Sequence, residues 1–528
     1  MSLLAGLLDR SRRRLKSIRP ARAFWNVLVV SLWLLDAVVV FYAVENWRGA
    51  QRFADVKNRL EQRGVKLDWK TFAPSPIPDE QNAAMHPLLR PLCQYEQTRT
   101  PHPEGGWTTT TRWLDSNGLR RVENVSLPTG WRDNGKYFDA ETNSLQPPID
   151  LARWQTCFRH DTNFPSPAQP CAPAQDVLLG LAKFEPELGE LHEALRRPHC
   201  RFPLHYDERP SDMLLRHQAC LRNLGRVLKL RAVAQLAAGE AEKALADTQD
   251  IFTLADGLKN EPVMISFLVR VAILRIGCSA IGEGLARQTW SETQLVRLQA
   301  LLAKQEVLPG LELAIKGETA SALQTLDSVR ADGGFVMYVH ETENSNPHGC
   351  RQFVSLRWAP RGWFEQNKAT IAEHMFQRTM PALAPAARRV YPPTVQAEVA
   401  GRESMRPTPY SLLAFLCLPY IDSAIRRAAY AQTVVDETLL ACALERHRLG
   451  TGRFPECLAA LYPDYLPTAP HDVVTGAPLR YRLSPDGGFL LWAAGWNEWD
   501  EEGLVSKTPR GAILIEEGDW VWERQAPL

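Results

Sequence analysis

An unbroken apolar run near the start of the chain is long enough to cross a membrane. Residues 23–44 read AFWNVLVVSLWLLDAVVVFYAV. As a helix they span on the order of 33 Å, and the hydrocarbon core of a bilayer is about 30 Å thick. Glu45 follows the run, and a basic cluster precedes it: Arg10, Arg12, Arg13, Arg14, Lys16, Arg19 and Arg22. Because such charges stay in the cytoplasm, the pattern predicts a cytoplasmic tail (1–22), a transmembrane anchor (23–45) and an extracytoplasmic body.

A cleaved signal peptide is the alternative interpretation of this run. It would need an apolar core of roughly 7–15 residues and a cleavage site of the small-x-small type. This run is longer, and Phe41 stands where a small residue should precede Ala43, so an uncleaved anchor is favoured. Asp36 lies near its middle, where a carboxylate costs roughly 2.5–3.5 kcal/mol on insertion scales. Either a polar partner on another helix, or protonation and local water, accounts for Asp36.

Beyond the anchor, apolar positions recur every 3.6 residues between about residues 175 and 330. The pattern predicts successive helices, separated at Gly239 and at the Asn260–Pro262 stretch, with a capping box formed by Ser291 and Gln294. A further long helix is predicted over roughly 420–448, ending at Gly450. Antiparallel helical hairpins packed through one core are therefore expected for the body, residues 176–405.

The remaining segments favour linkers and small strands. Residues 46–89 combine a polar helix with a proline-rich stretch that predicts an extended stand-off linker, which ends by docking on the body. Residues 90–175 are irregular, with short alternating pieces typical of small strands, and residues 406–528 join the long helix to a β module around the turn at 484–488. The expected fold class is mainly α with small β elements, a single N-terminal transmembrane helix and a small α+β C-terminal module.

Composition narrows the functional classes. The chain has 528 residues and a net charge of +1, which gives no electrostatic case for nucleic acid as a partner. The roughly 480 residues beyond the anchor suit two or three domains. Ten cysteines in this length do not make a disulfide-dense scaffold. An oxidising compartment would permit a disulfide between Cys157 and Cys171, the candidate pair that closes the shortest loop, although sequence does not fix the connectivity.

An acidic loop between Gly495 and Gly503 is the candidate metal site. Its carboxylate and amide oxygens are the ligand type that Ca²⁺ prefers. The spacing does not match an EF-hand, so a solvated acidic turn is the alternative. The candidate ligands are Asn497, Asp500, Glu501 and Glu502, together with Asp519 on the following strand.

Other chemistry-bearing residues lack the spacing that catalysis or metal binding requires. One short stretch carries four ligand-type side chains but neither a CxxC pair nor a helical i, i+4 histidine pair. These are His192, His199, Cys200 and His205. The nucleophile elbow, the HExxH motif, the phosphate loop and the dinucleotide fingerprint are all missing from the sequence. No catalytic residue is assigned, and the sequence leaves enzymatic activity open while leaning against it.

Parts of the chain show three separate resemblances to known families. The segments ENWRGAQRF, LDWKTFAPSPIPDEQNAA and LKNEPVMISFLVRVAI resemble a large family of membrane-anchored bacterial proteins, which has no assigned activity. The piece LAAGEAEKALAD resembles a tetratricopeptide hairpin, with Gly239 at its turn. The C-terminal tail is similar to the calcium-loop end of type II secretion major pseudopilins, which implies Asn497 and Asp500 as ligands. The chain lacks the prepilin cleavage motif, so the resemblance does not imply pilus assembly.

Together these patterns predict a single-pass protein of the bacterial inner membrane. Its N-terminus is expected in the cytoplasm, and its helical body in the periplasm as a binding or scaffold module with a protein partner in the envelope. The alternative is an extracytoplasmic hydrolase whose active site combines residues distant in sequence. Calcium is the only candidate cofactor.

Overall fold

The chain divides into two compact units in the computed structural model. The structure describes residues 2–103, 105–128, 130–133, 136–139, 149–339, 350–485, 487–508 and 513–523. Unit 1 comprises Met1–Arg63, Leu326–Ala372 and Arg406–Cys417. Unit 2 comprises Gly64–Thr325, Glu373–Met405 and Leu418–Leu528.

Helices dominate the described residues, so the predicted fold class is confirmed. The α-helices are α1 (Ser2–Gln62), α2 (Ser116–Glu123), α3 (Leu151–His160), α4 (Pro173–Leu181), α5 (Glu185–Ala194), α6 (Arg216–Ala237), α7 (Ala241–Asp256), α8 (Met264–Ala286), α9 (Glu292–Leu302), α10 (Leu308–Ala331), α11 (Arg361–His374), α12 (Pro392–Glu403), α13 (Leu412–Cys417) and α14 (Asp422–Thr451).

The strands form small antiparallel sheets. They are β1 (Tyr95–Pro101), β2 (Trp107–Trp113), β3 (Gly130–Asp133), β4 (Lys136–Asp139), β5 (Gly334–Val339), β6 (Cys350–Ser355), β7 (Leu383–Ala384), β8 (Arg389–Val390), β9 (Arg480–Leu483), β10 (Phe489–Ala493), β11 (Val505–Lys507), β12 (Ile513–Gly518) and β13 (Trp520–Glu523). The β1–β2 hairpin, in register from Tyr95 opposite Trp113 to Pro101 opposite Trp107, confirms the strands expected in the irregular region. The helices α2 and α3 in that region were not predicted.

The anchor and the polar helix after it form one continuous helix, α1. The apolar run and residues 46–62 contain no glycine pair or proline that would interrupt the backbone hydrogen bonds, so the predicted boundary near residue 45 is not a break. The helix ends just before Gly64, which has a φ of +76°. Its segment Phe24–Glu61 contains a window that is long and apolar enough to span a membrane and is not buried.

In unit 1, α11 packs closely against the part of α1 that follows the apolar run. A Cβ on Gly362 would lie 1.8 Å from the carbonyl oxygen of Glu45, and one on Gly49 would lie 2.1 Å from that of Gly362. Asn46 accepts a hydrogen bond from the Gly362 amide at 2.8 Å. Only glycine permits this approach of two backbones, so the glycines fix the contact between the two helices.

Unit 2 is built around α6, α7, α8 and α14. Gly239, with a φ of +82°, turns the chain between α6 and α7 as predicted, and the capping box of Ser291 and Gln294 is present at the start of α9. The helix α8 also passes the length and hydropathy test for a membrane span, but 67% of its apolar window is buried, as in a core helix. The predicted stop at Gly450 was wrong, because the left-handed residue after α14 is Gly452.

The prolines after α1 lie between short 3₁₀ turns, with extended backbone at Ala73 and Pro78, and the stretch ends docked on the body as predicted. Within unit 2 it forms short 3₁₀ turns at Trp69–Phe72, Asp79–Gln81 and Ala83–Met85. The indole of Trp69 is 1% exposed. The Asn82 side chain donates to the Arg201 carbonyl at 2.7 Å and accepts from the Arg201 amide at 2.8 Å. The aromatic ring and the paired amide thus fix this stretch to the body.

The C-terminal module contains a three-stranded sheet with the order β13–β10–β9. The hairpin β9–β10 confirms the strands predicted on either side of the 484–488 turn. The end of the chain forms two strands, β12 and β13, because Gly518 adopts a φ of +71° between them. As a result β12 pairs with β11, and β13 pairs with β10.

Candidate functional site

A surface groove of about 530 Å³ lies in unit 2 where the C-terminal ends of α2 and α3 approach the start of α5. Its apolar floor consists of Val125, Leu127, Phe164 and Phe184, all buried. The rings of Phe158 and Phe164 stack with centroids 4.3 Å apart, and Phe184 meets Phe164 edge-on. Such aromatic pairs add to the stability that area burial provides, so the floor is a rigid surface.

Charged side chains form the rim of the groove. The Lys183 ammonium lies 3.8 Å from the centroid of Phe164 and donates to the Asn163 carbonyl at 3.0 Å. Burial lowers the pKa of Lys183. On the other side Arg121 forms ion pairs with Glu187 at 2.7 Å and Glu190 at 2.8 Å. An apolar floor between rim groups of both signs suits a ligand with apolar side chains and peptide-like polar groups.

Behind Leu127 lies a second, much smaller cavity with a polar cluster in its wall. Its volume of about 10 Å³ has room for one water. Leu127 lines both the groove and this cavity. Lys229 also lines the cavity, is 1% exposed and donates to the hydroxyl of Ser279 at 2.7 Å.

The electrostatics of this cluster centre on one buried lysine and one buried glutamate. Burial lowers the pKa of Lys229 to about 8, with Arg275 and Arg226 adding to the shift and Glu283 opposing it. Burial also raises the pKa of Glu283. The Glu283 carboxylate accepts from the Ile149 amide at 2.5 Å. An amine with such a pKa can accept a hydroxyl proton near neutral pH, as a general base does.

Sequence reasoning missed this cluster because its members come from separate elements. Lys229 is on α6, and Ser279 and Glu283 are one turn apart on α8. A signal was nevertheless present: each is a polar residue inside a helical run that otherwise reads as core. Such a residue needs a partner when buried, but the sequence does not name the partner.

The acidic loop uses its oxygens to bind protein donors. Asp500 accepts from the Trp492 indole at 3.0 Å and pairs with Arg480 at 2.6 Å. The Trp492 bond, above all, lowers the pKa of Asp500. Asp519, 1% exposed, accepts from the amides of Glu501 and Gly503 at 3.1 and 2.7 Å.

The three remaining candidate ligands, Asn497, Glu501 and Glu502, do not form a metal-binding group either. The Asn497 amide donates to Glu501 at 2.7 Å, and Glu502 is exposed. In the described part of the chain, no three His, Cys, Asp or Glu side chains are grouped so that they could hold a metal ion. The predicted calcium ligands therefore share one loop without forming a preassembled site, and calcium binding stays a prediction.

The histidine-rich stretch spreads its side chains over different partners. His192 lies 2.9 Å from Asp250, and burial raises the pKa of Asp250 to about 6. His205 instead pairs with Glu208 at 3.2 Å. The two histidines therefore contact different carboxylates.

Cys157 and Cys171 are both free thiols, so the candidate disulfide is not formed. Cys157 is buried on the inner face of α3, whereas Cys171 is exposed. The two side chains thus face different environments although their loop is short. Asp36 lies on the exposed surface of α1, and both interpretations of its role stay open.

Comparison with known proteins gives no family to which these features could be referred. The chain matches no protein family, no curated protein and no solved structure. The features that bear on function are therefore the groove, the buried cluster and the apolar helix.

Proposed function

We propose that this chain is a single-pass envelope protein whose helical body binds a polypeptide segment in the groove of unit 2. The observation that carries the proposal is the groove itself, with its rigid aromatic floor and its rim of both charge signs. Its volume lies in the range typical of ligand pockets. The sequence of the helical hairpin α6–α7 resembles a tetratricopeptide unit. This resemblance supports the proposal that the helical body is a binding scaffold.

Photocrosslinking in the native membrane tests this binding. A photoreactive residue replaces Asn163, an exposed position on the groove rim, and we expect one dominant protein adduct. Lys183→Glu should reduce it about fivefold or more, because it reverses a charge and removes a cation–π contact. Lys304→Glu makes the same charge change at an exposed position outside the groove and should leave the adduct unchanged. Equal losses from both variants, or no adduct at all, would refute the proposal.

The proposed topology places the N-terminus in the cytoplasm and the body in the periplasm of a bacterial inner membrane. The basic residues before the apolar run support it through the positive-inside rule. A reporter that is active only in the periplasm should be active when fused after Arg63, and a reporter that needs the cytoplasm should be inactive there. The reverse result would mean that the body lies in the cytoplasm and the N-terminus in the periplasm.

A hydrolase is the second candidate, and the contact between Lys229 and Ser279 favours it. A lysine with a lowered pKa can deprotonate a serine so that the hydroxyl attacks an acyl carbon. The small cavity behind Leu127 has no room for a substrate beside this pair. Peptide binding in the groove is therefore better supported than hydrolysis at Ser279. A fluorophosphonate probe that labels the wild-type chain but not Ser279→Ala would establish the hydrolase, and equal absence of label would exclude this nucleophile.

A further inference from the structure

The surface of unit 1 carries an apolar patch beside the point where the apolar run of α1 ends. Trp358, 82% exposed, is the largest member. On α13 the side chains of Leu412, Phe415 and Leu416 are also exposed, at positions i, i+3 and i+4 of one helix face. The opposite face of α13 is buried through Leu413 and Ala414. We call these four exposed residues the interfacial patch.

Contacts within unit 1 fix Trp358 next to the end of the apolar run. The Tyr42 hydroxyl donates to the carbonyl of Trp358. Five residues along, the Trp363 indole donates to Glu45 at 2.9 Å, and its ring meets Phe41 with centroids 6.3 Å apart. Glu45 is the first charged residue after the apolar run. Trp358 therefore lies beside Tyr42, close to the C-terminal end of the apolar run.

A chain of aromatic contacts brings α13 to the same region. Tyr410 also meets the Trp363 ring edge-on, with centroids 6.3 Å apart. Leu412 follows Tyr410 by two residues, so their Cα atoms are at most about 7 Å apart. The Asn367 side chain fixes the start of α13, because it donates to the Pro409 carbonyl at 2.9 Å and accepts from the Ala414 amide at 2.8 Å. The exposed face of α13 is thus held close to the end of the span.

We infer that the interfacial patch is inserted into the headgroup region of the bilayer that α1 spans. This inference rests on the proposed membrane anchor. Indole rings favour that region, and a helix with one apolar face lies in it with that face about 5–10 Å deep. The exposed Arg357 and Arg406 lie close to the patch in sequence and can meet lipid phosphates. A soluble surface would leave Trp358 and three aliphatic or aromatic side chains in water.

Depth-dependent quenching of a fluorescent amino acid in the full-length chain tests the inference. The chain is reconstituted in phosphatidylcholine–phosphatidylglycerol vesicles that contain lipids spin-labelled near the headgroup. The probe replaces one residue at a time: Trp358, Phe415, Trp33 within the apolar run, or Gln62. Gln62 is the matched control, because it is exposed on α1 about 27 Å of helix beyond Val44. We expect probes at positions 358 and 415 to lose most of their emission and the probe at position 62 to keep it.

The control positions separate the failure of the patch from the failure of the anchor. A second set of vesicles contains lipids spin-labelled at mid-chain. These labels reach a probe at position 33 only if α1 spans the bilayer, so the loss of its emission confirms the anchor. If position 33 is quenched while 358 and 415 respond to aqueous iodide as position 62 does, the patch faces water and the inference is wrong. If 358 and 415 respond to neither quencher, protein covers the patch, which also overturns lipid insertion.

Discussion

Gly317→Ala is expected to lower the free energy of unfolding of the full-length chain by about 1–3 kcal/mol and its melting temperature in detergent by roughly 1–3 °C. A Cβ at this position of α10 would lie 1.8 Å from the carbonyl oxygen of Pro262. The backbone of α10 and the backbone at Pro262 would have to separate, since the carbonyl oxygen does not belong to a flexible side chain. Overpacking costs about 1–3 kcal/mol and sometimes more, which exceeds the helix propensity gained with alanine. With an unfolding entropy of roughly 2.1 cal/mol/K per residue, a chain of 528 residues changes its melting temperature by roughly 1 °C per kcal/mol.

Gly189→Ala is the matched control for this substitution. Gly189 is on α5, and no atom lies within 4 Å of the position that its Cβ would take. It should gain about 0.5–1 kcal/mol from the helix propensity alone. Differential scanning calorimetry of both variants measures the contrast. Similar melting temperatures for the two would mean that the loop at Pro262 gives way without cost.

The same contact matters for the candidate site through the neighbouring residue. Glu318 accepts a hydrogen bond from the Met264 amide at 2.8 Å, at the first residue of α8. Because α8 carries Ser279 and Glu283, a displacement of α10 reaches the buried cluster. We therefore expect Gly317→Ala to disturb this cluster as well as the overall stability.

Glu283→Ala is expected to destabilise the chain by about 3–5 kcal/mol at pH 7, the usual cost of leaving a buried charge without its partner. Glu283 has no exposed surface, pairs with Arg287 at 3.7 Å and accepts from the Ile149 amide. Its removal takes away the acceptor of that amide and the negative charge that attracts the buried Lys229 and the partly exposed Arg287. The melting temperature of the variant at pH 7, compared with that of the wild type, measures the effect.

The pH dependence identifies the share of this cost that Lys229 contributes. The pKa of Lys229 is lowered to about 8 in the folded chain, whereas an unfolded lysine titrates near 10.4. Between these values the unfolded state binds more protons, so stability rises with pH. The cost of burying the charged lysine is therefore complete below about pH 8 and is relieved as the pH rises toward 10.4. Without the attraction of Glu283 the pKa of Lys229 falls below about 8 in the variant, so the Lys229 share of the cost of Glu283→Ala, relative to the wild type, should shrink as the pH rises toward 8.

Lys229→Met supplies the control, because methionine fills similar space without a charge. In that background Glu283→Ala should cost clearly less, and the decrease of its cost as the pH rises toward 8 should disappear. The four chains form a double-mutant cycle, which measures the coupling of the two residues. Equal costs of Glu283→Ala in both backgrounds would show that Lys229 and Glu283 do not interact.

Local patterns predicted the helices of unit 2 well. The apolar repeat gave α7 and α8 to within about two residues of their observed ends, and the capping box at Ser291 is formed as expected. These features depend on neighbours in sequence, namely the side chains within one turn and the residues at helix ends. The same logic failed at Gly450, because either of two nearby glycines satisfies the pattern and only the backbone conformation selects Gly452.

The candidate site was far less accessible to sequence reasoning. The groove draws on α2, α3 and α5, and two of these helices lie in a region that reads as irregular. The cluster of Lys229, Ser279 and Glu283 spans some 50 residues. The acidic loop shows the converse, since its residues were correctly placed in one loop, but the indole of Trp492 and the charge of Arg480 take the oxygens that calcium would need.

The sequence by itself determined the apolar helix that is long enough for a membrane, the mainly helical body and the small C-terminal strands. Each follows from periodicity and from glycine or proline at fixed positions, which act over a few residues. Only the tertiary structure decided which polar groups pair and where apolar surface stays exposed. It placed Lys229 beside Ser279, seated the Asn82 stretch on the body, and left Trp358 uncovered next to Tyr42. Such pairings depend on how distant segments pack, because burial forces each polar group to find a partner across the fold.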